Sequence, residues 1–273
     1  MSLLAAERHD RIVGRLRRDG TVSVAQIAED CAVTAETVRR DLDRLARDGV
    51  LQRVHGGAVA ASNGSNGASR AESSWRDRQS HRAPQKRAIA AAAMEFVPDS
   101  ASSSLILDAG STTEVLVDLL VSQTPTPTAS TRPRYVLTDA VPIAGKLADV
   151  EGFDVETLGG RVRRLTGAVV GDAALHTLAD RRCDVAFLGT NGIDASFGLS
   201  TPDPAEAAVK SAMIAAARTV VLLADSTKLD RCSLVRFAHL EEVSVLITDT
   251  DPQPRLRDAL HAAGVTVIRA EAP

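Results

Sequence analysis

TAETVRRDLDRLARDGVLQRVHGGA, from Thr34 to Ala58, is the stretch around which the rest of this chain can be placed. At the helical step of about 100° per residue, Val38, Leu42 and Leu45 share one narrow face. Glu36, Arg40, Asp43, Arg44 and Arg47 lie opposite. Thr34 stands where an N-cap hydroxyl accepts a backbone N–H. Gly49 stops the helix as a left-handed residue past its C-terminus would. Val50 to Val54 reads as a strand, and His55-Gly56-Gly57 as a tight turn. A guanidinium-bearing face is ordinary on a surface helix, so the segment before it has to decide the meaning.

That segment is helical too. Apolar spacing from Ala5 to Arg18 points Ile12, Val13 and Leu16 inward, and Gly20 ends the run. Ser23-Val24-Ala25-Gln26 has the Ser-x-x-Gln form of a capping box. It opens a short helix to about Asp30, with Val24, Ile27 and Ala28 on its apolar side. A turn at Cys31-Ala32-Val33 leads to the Thr34 helix. Helix, short helix, turn, second helix and hairpin together make a winged helix-turn-helix. The N-terminal residues of such a second helix face base edges in the major groove. Glu36, Thr37, Arg39 and Arg40 are the candidates there. Arg44, Arg53, Ser23 and Thr34 are placed for phosphates, and His55 in the wing completes the DNA-contacting set.

The 273 residues allow one large domain or two of ordinary size. Aromatics are only 3%, so the core rests on Ala, Val, Leu and Ile. The net charge of -3 means that DNA affinity must come from a local patch. Lysine occurs only at Lys86, Lys146, Lys210 and Lys228. Cys31, Cys183 and Cys232 are odd in number and far apart, against a disulfide framework or a metal site and for a reduced compartment. There is no signal-peptide core and no apolar run of membrane-spanning length. The expectation is a cytoplasmic protein without membrane, metal or cofactor.

Past the wing, ASNGSNGASRAESS is small, polar and without apolar period, so residues 61–83 read as a flexible linker between a 1–60 head and an 84–273 domain. Trp75 is expected to pack the linker end against a domain. Pro84 starts a helix whose apolar face holds Ile89, Ala92, Ala93 and Phe96. Strands are expected at Leu105–Leu107, Tyr135–Leu137, Val155–Leu158, Val185–Leu188, Val220–Leu223, Val245–Ile247 and Val265–Ile268. Helices are expected at Thr112–Leu120, Val141–Leu147, Pro204–Ala217 and Pro254–Ala263, and VSQTPTPTASTRPR reads as a surface loop. The alternation predicts an α/β fold, with the winged head joined to a doubly wound, largely parallel sheet. Ligands bind such sheets at the carboxyl ends of the strands. Five of those ends carry small, polar, Gly-rich residues: Asp108 to Thr113, Thr138-Asp139, Gly159-Gly160, Gly189 to Asp194, and Ala224 to Lys228.

The two halves together resemble one family. VSVAQIAEDCAVTAETVRRDLDRLARDGVLQRVHGGA is similar to the N-terminal domain of the DeoR family of bacterial transcriptional regulators. ILDAGSTTEVLVDLL, ETLGGRVRRLTGAVVGDAAL, DVAFLGTNGID, GLSTPDPAEAAVKSAMIAAA and VVLLADSTKL are similar to its sensor domain. The resemblance implies a fold like that of ribose-5-phosphate isomerase, a phosphorylated sugar or related metabolite as effector, repression of catabolic genes, and release from the operator when the effector binds. The candidate effector set is Asp108, Gly110, Ser111, Thr112, Thr113, Thr138, Asp139, Gly189, Thr190, Asn191, Lys210 and Lys228. The phosphate is expected at Gly110 to Thr113, where a helix N-terminus offers unpaired N–H groups. Asp108 and Asp139 are assigned to sugar hydroxyls or loop hydrogen bonds, and Lys210 or Lys228 to neutralising the phosphate or holding the sugar. Asp139 departs from the family, which more often has Asn there, so the usual effector geometry is in question at that point.

The rival class is a sugar-phosphate isomerase or deaminase with an accessory domain, in which Asp194, Glu206 and Lys210 would supply base and acid. The resembling isomerases carry an acidic run after the strand. Here the run is Thr190-Asn191-Gly192-Ile193-Asp194, and Asn191 cannot act as a base. The expectation is therefore no catalytic residue, with operator DNA and the effector as partners. Because one winged helix spans few base pairs, a homo-oligomer, dimer or tetramer, is expected.

Overall fold

The computed structural model describes residues 8–9, 11–15, 21–31, 33–47, 51–54, 57–60, 81–98, 103–124 and 132–271. The chain divides into two compact units, Met1–Arg70 and Ala71–Pro273. The division falls within the segment read as a linker, most of which, with Trp75, lies outside the described residues, as do Leu16, Gly20, Gly49, His55 and Gly56.

In the first unit, helix α1 is described at residues 8–9 and 11–15. It is followed by β1 (Thr21–Ser23), α2 (Val24–Asp30), α3 (Ala35–Arg47), β2 (Leu51–Val54) and β3 (Gly57–Ala60). Ile12, Val24, Ile27, Val38, Leu42, Leu45 and Leu51 form its buried core, which is the apolar face drawn from helical spacing. Two features differ from the sequence reading. Gly57 is not in the turn: it begins β3 and pairs with Val54 on one side and Ser23 on the other. The wing is thus a three-stranded antiparallel sheet, β1-β3-β2, with β1 unforeseen. A Cβ on Gly57 would lie 2.0 Å from the Val22 carbonyl oxygen, so the third strand fits only against a glycine.

Asp41, on α3, carries no obvious message in sequence, yet it is buried and ties α3 to α1. Arg8 reaches it with Nε at 2.8 Å and Nη2 at 3.2 Å, and His9 Nε2 lies 3.1 Å away. Burial by itself would raise the Asp41 carboxyl, but the Arg8 and His9 hydrogen bonds outweigh it and hold the group below its ordinary 3.8. Asp41→Ala is expected to cost roughly 2–3 kcal/mol, the scale of hydrogen bonds to charged groups. Amide hydrogen exchange of the full chain reads this as lost protection in α3, and unchanged protection would remove the pair. Because the folded value is depressed, this stabilisation is present above pH 3.8 and is lost as pH falls through the lower folded value.

The second unit is built on seven strands: β4 (Ser104–Leu107), β5 (Arg134–Thr138), β6 (Phe153–Thr157), β9 (Cys183–Gly189), β12 (Ala217–Leu223), β14 (Val245–Thr248) and β15 (Thr266–Arg269). Their order is β15-β14-β12-β9-β4-β5-β6, and every pairing is parallel. Alternate residues of each strand feed opposite faces, as the pleat requires. Ile106, Leu137, Ala186, Leu188, Leu222 and Leu246 face one core, with α7 (Asp172–Ala179), α8 (Pro204–Ala215) and α9 (Pro254–Ala262). Leu105, Leu107, Val136, Phe187, Val221 and Ile247 face the other, with α4 (Ala83–Ala93), α5 (Ser111–Gln123) and α6 (Val141–Leu147). The fold is a doubly wound α/β sheet. Helix α4 begins one residue before Pro84. Helix α7, the short ribbon β7 (Arg161–Val162) and β8 (Val169–Val170), and the antiparallel sheet of β10 (Gly192–Asp194), β11 (Gly198–Thr201) and β13 (Val235–Ala238) were not foreseen.

Candidate functional site

On the N-terminal unit, Ser23 caps α2, its Oγ accepting from Gln26 N at 3.1 Å. Thr34 caps α3, accepting from Thr37 N at 3.2 Å, and the two threonine hydroxyls lie 2.9 Å apart. Glu36 sits 3.6 Å from both Arg39 and Arg40 on the exposed face of α3. Such exposed pairs are worth only about 0.3–0.5 kcal/mol, so both guanidinium groups can turn to another partner at small cost. Arg44 is exposed further along the same helix, while the Arg53 side chain and His55 lie outside the described residues.

In the second unit, β9, β4 and β5 are neighbours, and the residues after their carboxyl ends meet. Asp108, just past β4, is fully buried. It accepts from Thr113 Oγ1 at 2.7 Å and from Gly189 N at 2.7 Å, and it forms a short ion pair with Lys210 Nζ. Lys210 also donates to the Gly189 carbonyl at 3.1 Å and lies over the Phe237 ring at 5.7 Å. It is 6% exposed, not a solvated surface lysine. Burial alone would lower the Lys210 ammonium, but Asp108 and Asp139 outweigh that and hold it above its ordinary value. Asp108 therefore has donors on both oxygens and is removed from the sugar-hydroxyl assignment: it positions Lys210 and joins the β4 and β9 loops. The Thr113 hydroxyl is likewise taken by Asp108 and is not a phosphate donor.

Gly110 is the N-cap of α5 and provides no side-chain cap. A Cβ there would meet Thr113 Oγ1 at 2.8 Å and Asp108 Oδ1 at 3.0 Å. The close approach that makes the Asp108–Thr113 bond possible thus also leaves the first N–H groups of α5 without a side-chain acceptor. Ser111 is half-buried there and Thr112 buried.

The remaining candidates divide. Thr138 ends β5 and fixes the turn after it, donating to Leu107 O at 2.6 Å and accepting from Ala140 N at 3.0 Å. Thr190 closes its own loop on Gly192 O at 2.9 Å and Ser200 O at 3.1 Å. The Asn191 amide oxygen accepts from Thr201 at 3.2 Å. Lys228 stands apart, on a turn beyond β12, which is separated from β4 by β9. Arg82 holds that turn: its Nη2 donates to Ser226 Oγ at 2.9 Å and Asp249 Oδ2 at 2.5 Å. Asp194 accepts from Ser196 N, Ser196 Oγ and Phe197 N within 2.8 Å, a loop-closing role.

Sequence reasoning missed the cluster that stands behind Lys210. Glu206, one turn earlier on α8, is buried and accepts from Arg163 Nη1 and Thr166 Oγ1, each at 2.5 Å. Arg163 also pairs with Asp203, the N-cap of α8, at 3.1 Å. These contacts bring the β7–β8 ribbon over the carboxyl edge. The Gly-Gly and Arg-Arg of ETLGGRVRRL were the available signal. Asp139 is 3% exposed; burial, reinforced by Asp108 and opposed by Lys210, pushes its carboxyl up to about 8.

Among the described residues no group of His, Cys, Asp and Glu is arranged to hold a metal, and no helix is long and apolar enough to cross a membrane.

The family model for the DeoR-like helix-turn-helix domain matches residues 8–63, and that for the DeoR C terminal sensor domain matches 81–250. The chain is 33% identical over 266 residues to the HTH-type transcriptional regulator GlpR of Haloferax volcanii, covering 97% of this chain and 98% of that one. It is 30% identical over 246 residues to the glycerol-3-phosphate regulon repressor of Escherichia coli, covering 90% and 91%. It is 28% identical over 261 residues to the HTH-type transcriptional repressor CsqR of Escherichia coli, covering 96% and 94%. Through matches to both of its units and over nearly its whole length, the chain belongs to the DeoR family and is a DNA-binding transcriptional regulator, not an enzyme.

Proposed function

We propose that this protein represses sugar-catabolism genes and leaves its operator when a phosphorylated sugar or related metabolite binds at the carboxyl edge of the sheet. The observation that carries the effector reading is the N-terminus of α5 beside a buried lysine. The N–H groups of Ser111 to Thr113, which have no side-chain cap, and the helix dipole favour an anion. Ser111 and Thr112 add hydroxyls, and Lys210, held in place by Asp108 and Gly189, adds positive charge. Gly189 and Asn191 border the sugar end. The likeness to the glycerol-3-phosphate regulon repressor of Escherichia coli supports a phosphorylated effector.

On DNA, Glu36, Thr37, Arg39 and Arg40 read bases, while Ser23, Thr34, Arg44, Arg53 and His55 hold the backbone. The segment after the wing, read as a linker from its sequence, would let two heads adjust to symmetric half-sites in a homo-oligomer joined by the second unit. Effector binding shifts the population towards a geometry in which the heads no longer match the operator, and DNA reciprocally weakens the effector.

Arg40→Ala tests the DNA half. A good bidentate arginine–guanine contact is worth about 1–3 kcal/mol of discrimination. Arg40→Ala should therefore flatten the preference for operator over mutated operator, whereas Arg44→Ala should weaken both sequences alike and reduce the salt slope by about one. Measured by fluorescence anisotropy across a salt series, unchanged affinity and slope in both variants would sink the assignment.

A further inference from the structure

One oxygen at the carboxyl edge has no protein partner. Oδ1 of Asp139 is buried and makes no hydrogen bond, while the Ala109 N–H donates to the same carboxyl group. The backbone on either side is pinned, Val169 N donating to the Asp139 carbonyl at 2.7 Å and Thr138 holding the Ala140 N–H. The groups that face it are Asp108 from the β4 loop, and Glu206 and Lys210 from α8. Lys210 does not neutralise it by contact, because its hydrogen bonds go to Asp108 and Gly189. Arg163, the other nearby cation, is engaged by Glu206 and Asp203. An ionised carboxylate with one undonated oxygen, between two other carboxylates and out of water, is the costly state. A neutral carboxyl protonated on Oδ1 carries an O–H with no hydrogen-bond partner among the described residues, at the edge where the effector is proposed to sit.

We infer that Asp139 meets the effector as a neutral carboxylic acid that donates a hydrogen bond to a ligand oxygen, so that loss of its proton weakens effector binding. The inference rests on reading this edge as the effector site. A neutral carboxylic acid has one donor and an acceptor, as a carboxamide does. It adds no negative charge beside a phosphorylated ligand, which an ionised Asp139 would.

The test uses the full-length chain and its Asp139→Asn variant, titrated calorimetrically with glycerol 3-phosphate, fructose 1-phosphate and glucose 6-phosphate between pH 7 and 9.5. A phosphate monoester, with a second pKa of about 6, is already dianionic throughout. For whichever of the three binds, wild-type affinity should fall by up to about tenfold per pH unit above pH 8, while Asp139→Asn stays flat. A ligand-free readout accompanies it. With a folded value of about 8 against the ordinary 3.8, the stabilisation from the neutral acid is full below pH 3.8 and is lost as pH rises to about 8. The Tm of Asp139→Asn should therefore pull away from that of wild type between pH 5 and 8 and run parallel above. Parallel affinity profiles for the two proteins, a wild-type affinity that rises with pH, or a constant Tm difference from pH 5 to 8 would each overturn the inference and leave the effector site standing. Failure of all three sugar phosphates to bind either protein at pH 7 would instead overturn the effector reading, and this inference with it.

Discussion

Lys210→Met is expected to destabilise the second unit by about 3–5 kcal/mol, the scale for removing one partner of a buried ion pair. Asp108 has no exposure to water, and its other two donors, Thr113 Oγ1 and Gly189 N, are neutral. Without the ammonium, a carboxylate is left in a medium that cannot solvate it. That loss is a large part of a total stability of about 5–15 kcal/mol. Urea unfolding should show a lower midpoint at unchanged slope. Adding Asp108→Asn to Lys210→Met should recover much of the loss, because the cost lies in the orphaned charge and not in the missing attraction. Equal midpoints for wild type and Lys210→Met would mean that the pair does not hold the two loops together. A double variant no more stable than the single one would mean that the contact of the lysine with the Phe237 ring, and not the orphaned carboxylate, is what was lost.

Thr112→Asp should abolish effector binding and leave operator binding intact. At about 4 Å and an effective dielectric of about 20, two like unit charges repel by about 4 kcal/mol, which corresponds to about a thousandfold in affinity. The variant puts that charge on the first turn of α5, where an aspartate is itself favoured by the helix N-terminus. Calorimetry with the sugar phosphate that binds wild type, with and without operator, provides the comparison. Wild-type affinity retained by Thr112→Asp would move the phosphate away from α5, and a parallel loss of operator affinity would show that the change had spread beyond the site.

The elements that carry the fold were legible because their signals are local. Val38, Leu42 and Leu45 recur at the helical period, and the inner strands of the parallel sheet carry apolar runs such as Leu105-Ile106-Leu107 or Val220 to Leu223, buried on both faces. The unforeseen strands are short and lack that run. Strand β1 is three residues, and its place beside β3 depends on Gly57. The turn read at His55-Gly56-Gly57 extended one residue too far because a glycine marks both a turn and a close strand approach.

The site divides on the same ground. The Gly-Ser-Thr-Thr run that ends β4 and opens α5 is a contiguous pattern, and composition alone pointed to it. What each side chain does there was not legible. Lys210 lies 102 residues from Asp108, Arg163 lies 43 from Glu206, and Arg8 lies 33 from Asp41. A charged residue in sequence reads the same whether it will be solvated, paired or buried alone, because the desolvation that separates these cases exists only after the chain has folded. Local periodicity and turn chemistry were therefore enough for the winged head, for the strands of the parallel sheet with most of their helices, and for the edge where an effector is proposed. Folding settled that Asp108 and Thr113 are committed to each other, that Lys210 is fixed between two loops, and that Asp139 is left with an oxygen facing no donor.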